Sequence, residues 1–124
     1  MGAAVALLDV VKFQNIKSNY TNNVAPLSGT GAAIFVKVYR IIHNVQCMFI
    51  MSQNEAIHIA GKQNINGRDG KGVMFIKNTF TNNTGKSGGA LQCKNCMHLF
   101  IYSCHVYGNQ AFHQGGAFCF INVK

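Results

Sequence analysis

The stretch FTNNTGKSGGALQC, Phe80 to Cys93, decides how this chain folds, because its pattern recurs twice in the sequence. Val106 to Phe120 reads VYGNQAFHQGGAFCF and repeats the order apolar residue, Asn, small residue, Gly-Gly-Ala, apolar residue. A third copy, Tyr20 to Val36, reads YTNNVAPLSGTGAAIFV and has one Gly fewer at its corner. Self-similarity of this kind is typical of solenoids, in which each repeat forms one turn of a coil.

The spacing of the copies predicts the kind of coil. Asn83 and Asn109 are 26 residues apart, and Gly88 and Gly115 are 27 apart. This length suits a turn of three short strands and three corners, with successive coils stacked in parallel about 4.8 Å apart. From Asn23 to Asn83 is 60 residues, which predicts two periods with a small insertion between them.

The coil between these two copies is degenerate, so its motif positions are assigned by spacing alone. The residues expected there are Ile50 or Met51, Asn54, Ala56 and Ala60-Gly61. The insertion is expected at residues 64–72, NINGRDGKG, because Gly, Asn and Asp are typical of surface loops.

Each motif residue type has a structural reason to stand where it does. Gly permits a positive φ or a close backbone approach at a corner, and the Ala after it fits a narrow lumen. Asn tolerates the left-handed conformation, and Asn side chains in stacked coils can form amide ladders. The predicted motif residues are Asn23, Asn83, Asn109, Gly31, Gly88, Gly89, Ala90, Gly115, Gly116 and Ala117.

The composition of the chain favours an all-β domain. Charged residues make up 11% of its 124 residues, Gly occurs 13 times and Trp is absent, so polar positions depend on Asn, Gln, Thr and Ser. The formal charge of +8 comes from 11 basic and 3 acidic residues. The lysines form no run, and a nucleic-acid surface normally has a clustered basic patch, so no nucleic-acid partner is expected.

The pattern F-x-x-N followed by G-G-A-[ILF] resembles the repeats of chlamydial polymorphic outer membrane proteins. Similar repeats occur in other long surface proteins with the right-handed parallel β-helix, or pectin-lyase-like, fold. Here FTNN…GGAL and VYGN…GGAF carry the likeness, with Val106 in place of Phe, and YTNN…GAAI departs at one Gly. The resemblance implies a secreted or surface-displayed solenoid that serves in adhesion or as a structural stalk, with motif residues that shape the coil.

We therefore predict an all-β, right-handed parallel β-helix of about four coils that forms part of a longer solenoid. Residues 1–12 are predicted to form a lead-in or capping strand, and residues 13–124 the repeats. An export signal or membrane anchor is expected outside this chain, so any membrane contact would use such segments. The expected partners are neighbouring coils of the same or a longer chain, surface glycans or a host-cell protein.

Candidate catalytic chemistry is sparse in this sequence. Polysaccharide lyases and hydrolases with this fold use clustered carboxylates or a basic proton acceptor, whereas Asp9, Glu55 and Asp69 fall in separate coils or loops. The sequence GKS, Gly85 to Ser87, lacks the upstream Gly of a phosphate-binding loop. We predict no catalytic residue, cofactor or metal, and retain a carbohydrate-binding or polysaccharide-cleaving β-helix as the alternative function.

The cysteines leave three interpretations open. They are Cys47, Cys93, Cys96, Cys104 and Cys119, and the second and third form a C-x-x-C pair near His98 and His105. Buried thiols that fill the lumen are the favoured interpretation, and a disulfide or a zinc site are the alternatives. Two N-x-[ST] sequons, at Asn19 and Asn82, are expected to face solvent at equivalent places and are candidate glycosylation sites.

Overall fold

The computed structural model describes residues 4–25, 33–50, 52–53, 55–61 and 71–123, and these ranges contain thirteen β-strands. The strands are β1 (Val5–Ile16), β2 (Asn19–Thr21), β3 (Ile34–Val45), β4 (Met48–Ile50), β5 (Ile57–Ala60), β6 (Lys71–Ile76), β7 (Thr79–Thr81), β8 (Thr84–Ser87), β9 (Leu91–Lys94), β10 (Met97–Tyr102), β11 (His105–Tyr107), β12 (Gln110–Gln114) and β13 (Phe118–Ile121). Within these ranges there is no helix, and hence none long and apolar enough to cross a membrane.

All strand pairings in the described ranges are parallel, and they form three sheets. The seven-stranded sheet has the order β10-β6-β3-β5-β9-β13, with β1 also paired to β3. The second sheet has the order β11-β7-β4-β2, and the third consists of β12 and β8. Single bridges from Val24 to Gln53 and from Gln53 to Thr84 extend the third column through the earlier coils.

The stacking order proves that the chain winds as a solenoid. Strands β1, β3, β5, β9 and β13 stack in chain order on one face, so the chain returns to that face four times. The long strand β3 pairs with β5 through residues 34–37 and with β6 through residues 42–45, so it covers two strand positions of the coil. The predicted all-β class and parallel solenoid are confirmed.

The core is a column of apolar side chains inside the coil. Tyr20 stacks on Phe49, with ring centroids 5.0 Å apart, and Phe49 stacks on Phe80 at 5.2 Å. Phe75 and Phe118 both meet Phe80 edge-on. Because each ring contributes a large apolar surface and the stacked geometry adds to it, these rings account for much of the packing between successive coils.

Corners are made by single residues in the left-handed conformation. Between the first and second sheets, Lys17, Gln46, Lys77 and Ser103 have φ values of 51°, 53°, 52° and 51°. Such a residue turns the chain, and it also resets the alternation of side chains. In β10, Leu99 and Ile101 pack against the core, and after the corner at Ser103 the next inward residue is Cys104.

The assignments in the degenerate coil were wrong by two to four residues. Phe49, Ser52 and Ala56 occupy the motif positions, because Phe49 pairs with Phe80, Ser52 O accepts from Thr84 N, and Ile57 pairs with Leu91. This coil is short, with 23 residues from Ile34 to Ile57 against 27 from Leu91 to Phe118, so a constant period misplaced its motif. Met51 and Asn54 lie outside the described residues.

Three further predictions meet the structure only in part. The boundary between residues 12 and 13 falls inside β1, which pairs with β3 from Val5 to Ile16. Of the insertion predicted at 64–72, residues 71 and 72 begin β6, and the others lie outside the described ranges. Gly31 and Asp69 also lie outside them.

Candidate functional site

The motif asparagines form a column at the corner between the second and third sheets. Backbone hydrogen bonds place the column in the order Asn23, Ser52, Asn83 and Asn109, because Gln53 N donates to Asn23 O, Thr84 N to Ser52 O, and Gln110 N to Asn83 O. Each of these residues follows the three-residue strand of its coil by two positions. The sequence contains the signal for Ser52, since Phe49 to Ser52 reads F-x-x-S where the other copies read an apolar residue, two residues and Asn.

Asn83 is the most fully bonded member of this column. Its Nδ2 donates to Phe49 O at 2.9 Å and to Asn109 Oδ1 at 2.8 Å, and its Oδ1 accepts from Ser52 N at 3.0 Å. Asn109 repeats part of the arrangement, with Nδ2 donating to Phe80 O at 2.8 Å. Ser52 interrupts it, because its buried Oγ has no hydrogen-bond partner.

The Gly-Gly-Ala corner uses its three residues for three different purposes. Gly88 has a φ of +70°, which L side chains rarely adopt. A Cβ on Gly89 would lie 2.2 Å from Gln110 O, so this position admits no side chain. Ala90 is fully buried in the lumen, in line with Ala33 and Ala56 of the preceding coils.

The last coil repeats this corner with a more open second position. Gly115 has a φ of +58°, as Gly88 does at +70°. A Cβ on Gly116 would meet nothing closer than Asn109 O at 3.8 Å, and Ala117 is half-buried rather than buried. The motif is therefore under steric constraint where another coil covers it.

Glu55 and His58 form a charged pair that the sequence analysis missed. Glu55 Oε2 lies 3.2 Å from His58 Nδ1, and Oε1 accepts from Ser87 N at 3.5 Å. Glu55 is 4% exposed and has a φ of 58°, and Phe35 stacks on the His58 ring. The Glu-x-x-His spacing was the available signal. The carboxylate binds a backbone N–H of the next coil, which gives it a structural use.

The cysteines divide into one disulfide and three thiols. Cys93 and Cys96, both fully buried, form a disulfide across the corner between β9 and β10. Buried thiols were the favoured interpretation for this pair, and it was wrong, because one corner residue brings the two sulfur atoms together. Cys47, Cys104 and Cys119 are thiols. The described residues contain no cluster of three or more His, Cys, Asp or Glu side chains that could hold a metal ion.

The two sequons occupy different places in the coil, contrary to expectation. Asn19 begins β2 and pairs in register with Met48, whereas Asn82 has a φ of 53° at the corner next to Asn83. Both are exposed, and the Thr21 hydroxyl donates to Asn19 Oδ1 at 2.8 Å. Gly85 to Ser87, examined as a phosphate loop, form most of strand β8.

The comparisons with known proteins agree with this geometry. The sequence profile of the Chlamydia polymorphic membrane protein repeat matches residues 79–94, which extend from β7 through the Asn83 corner and the Gly-Gly-Ala corner to the end of β9. No curated protein and no solved structure matches the chain. The resemblance seen in the sequence is confirmed for this copy of the repeat. Together, the match and the parallel solenoid indicate a β-helix module of surface-protein type.

Proposed function

We propose that the chain is a non-catalytic structural or adhesive β-helix module of a cell-surface or secreted protein. The observation that carries this proposal is the way the matched residues 79–94 are used. Asn83, Gly88, Gly89 and Ala90 are buried and direct their contacts to neighbouring coils. The conserved pattern of the profile is thus spent on building the stack, and the outer surface is left for recognition.

The described carboxylate chemistry supports a non-catalytic role. A lyase or hydrolase needs an acid or base that reaches its substrate, usually together with a second ionisable group. Glu55 is buried, and its two oxygen atoms are engaged by Ser87 N and His58 Nδ1. It is therefore positioned to hold two coils together.

The Cys93–Cys96 disulfide supports a location outside the cytoplasm. Disulfides form and persist in oxidising compartments, which include secreted proteins and cell surfaces. Both sulfur atoms belong to fully buried residues, so the bond joins parts of one corner and leaves no partner chain to be linked.

An adhesion assay tests the proposal. Beads coated with the folded chain are expected to attach to cultured epithelial cells in greater number than beads coated with the same chain after reduction and unfolding. Equal attachment of the two preparations would mean that the solenoid surface is not the adhesive element. Circular dichroism of each preparation before coating establishes that only one of them is folded.

A carbohydrate-binding or polysaccharide-cleaving module is the second candidate function. An exposed aromatic pair favours it, because Phe100 and Tyr102 project from β10 with ring centroids 6.1 Å apart and an interplanar angle of 15°. Incubation with polygalacturonate, followed by assay of reducing ends and unsaturated products, separates the alternatives. Turnover would replace the non-catalytic proposal, whereas binding without turnover would retain it and add a glycan partner.

A further inference from the structure

The outer edge between the first and second sheets carries a row of exposed polar residues. Lys17, Gln46, Lys77 and Ser103 stack there in this order, one from each coil. Gln46 N donates to Ile76 O at 2.9 Å, and Lys77 N donates to Tyr102 O at the same distance, which fixes the register of neighbouring corners. Lys17 and Lys77 are two coils apart, a separation of about 10 Å along the axis.

An apolar ladder lies directly beside this row. Ile16, Ile76 and Tyr102 each precede a corner residue, and the strand register aligns them through Val45. Ile16 and Tyr102 are each 56% exposed, and Phe100, 49% exposed, stacks beside Tyr102. These side chains point away from the lumen, since Leu99 and Ile101 between them pack against the core.

The charge of this surface selects an anionic partner. The chain has 11 basic and 3 acidic residues, and Glu55, whose carboxylate is the one the structure describes, is buried. Among the described side chains the surface therefore shows lysines and no exposed carboxylate. A surface of one sign attracts ligands of the opposite sign and raises their rate of association.

We propose that the outer surface formed by Lys17, Lys77, Ile76, Phe100 and Tyr102 binds a linear anionic polysaccharide laid along the solenoid axis. The inference rests on the proposed adhesive function and names its partner class. The coils repeat every 4.8 Å or so, close to the length of one sugar unit in an extended polysaccharide. The lysines on alternate coils then meet acidic groups on alternate sugars, and the aromatic rings pack against sugar C–H faces.

Binding of the chain to immobilised heparin, with neutral dextran as the reference polymer, tests this inference. Replacing both corner lysines (K17Q/K77Q) is expected to weaken heparin binding about tenfold, because two contacts to a polyanion are lost. A matched control, K37Q/K86Q, removes the same charge from exposed lysines on other faces and is expected to change binding less than about twofold. The pair F100A/Y102A is expected to weaken binding, and Y107A/F112A, which alters exposed aromatics elsewhere, is not.

Each outcome of the binding series decides for or against the proposed surface. Equal losses in K17Q/K77Q and K37Q/K86Q would show that net charge, and not this edge, attracts the polymer. Binding to vesicles containing phosphatidylserine but not to heparin would replace the polysaccharide with an anionic membrane. If coated beads adhere to cells and heparin does not bind, the inference fails and the adhesive function stands. If heparin binds and the beads do not adhere, the adhesive function fails.

Discussion

Asn109 Oδ1 accepts two hydrogen bonds from Asn83 of the preceding coil, one from the backbone N at 3.0 Å and one from Nδ2 at 2.8 Å. One side-chain oxygen thus satisfies a backbone donor that the corner removes from the sheet and also fixes the orientation of the Asn83 amide. This relationship joins two coils at a point where no strand pairing is available.

Asn83→Ala is expected to lower the free energy of unfolding by about 3 kcal/mol, because it leaves Ser52 N and Phe49 O buried without a partner. Urea denaturation followed by circular dichroism measures the change. Asn19→Ala, in an exposed strand position, is the matched control and is expected to cost less than about 0.5 kcal/mol. Equal costs for the two variants would show that the column contributes nothing special.

Ser52→Asn is expected to stabilise the fold by about 1 kcal/mol. By analogy with Asn83, the new Nδ2 donates to Tyr20 O and Asn83 Oδ1, and the new Oδ1 accepts from Asn23 N. Ser52→Ala removes the unpartnered hydroxyl without adding an amide and serves as the reference. A melting temperature for Ser52→Asn below that of Ser52→Ala would contradict the geometry assigned to the column.

Gly89→Ala and Gly116→Ala place the same substitution at the same motif position in two coils. The first is expected to cost about 3 kcal/mol, because the new Cβ would lie 2.2 Å from Gln110 O. The second is expected to change stability by less than about 1 kcal/mol, since its nearest neighbour is 3.8 Å away. Thermal unfolding of both variants measures the difference, and similar losses would mean that the corner needs both glycines for their backbone conformation.

Alkylation of the unfolded, unreduced chain is expected to modify three cysteines, and prior reduction is expected to raise the number to five. Mass spectrometry counts the adducts. The double variant C93A/C96A is expected to lose about 2 kcal/mol of stability, since the short loop gives the disulfide a modest effect on the unfolded chain. Five adducts without reduction would show that the pair is not bonded.

Stability is expected to fall at high pH through Tyr20. Burial raises the pKa of its hydroxyl above the ordinary 10.0, with the nearby Cys47 contributing in the same direction and hydrogen bonds to Asn15 and Ser18 opposing it. The folded chain therefore holds this proton more tightly than the unfolded chain does. The stabilisation is complete below pH 10 and is lost as the pH rises through the folded pKa.

Tyr20→Phe isolates this contribution, because Phe keeps the stacked ring and removes the titrating group. Urea unfolding of both chains across the alkaline range is expected to show a difference in stability that changes above pH 10 in the direction of loss for the parent chain. A difference that stays constant over that range would assign no role to Tyr20 ionisation.

The repeat carried most of the fold in the sequence, and the places where prediction failed have physical causes. Strict spacing located Asn83, Asn109 and both Gly-Gly-Ala corners, since those coils differ in length by few residues. The same spacing missed Ser52, because a short coil and a Ser in place of Asn removed both signals at once. Period alone could not indicate that one left-handed residue resets the alternation, so it left the inward phase of β10 open.

The candidate surface was less accessible to sequence reasoning than the coil. The lysines are scattered along the chain, and only the winding of the solenoid brings Lys17 and Lys77, 60 residues apart, to the same edge. The Glu55–His58 pair was invisible for a related reason, since its third partner, Ser87 N, belongs to the following coil. Contacts between coils depend on exact coil lengths, which the sequence shows poorly where the motif decays.

The left-handed corner residues separate what the module displays from what keeps it folded. Lys, Gln and Ser all serve at the edge between the first and second sheets, so the turn tolerates a change of side chain as long as the backbone adopts that conformation. Evolution can therefore repaint this rim, altering its charge and the ligands or antibodies it meets, while the interior rings and amides stay as they are.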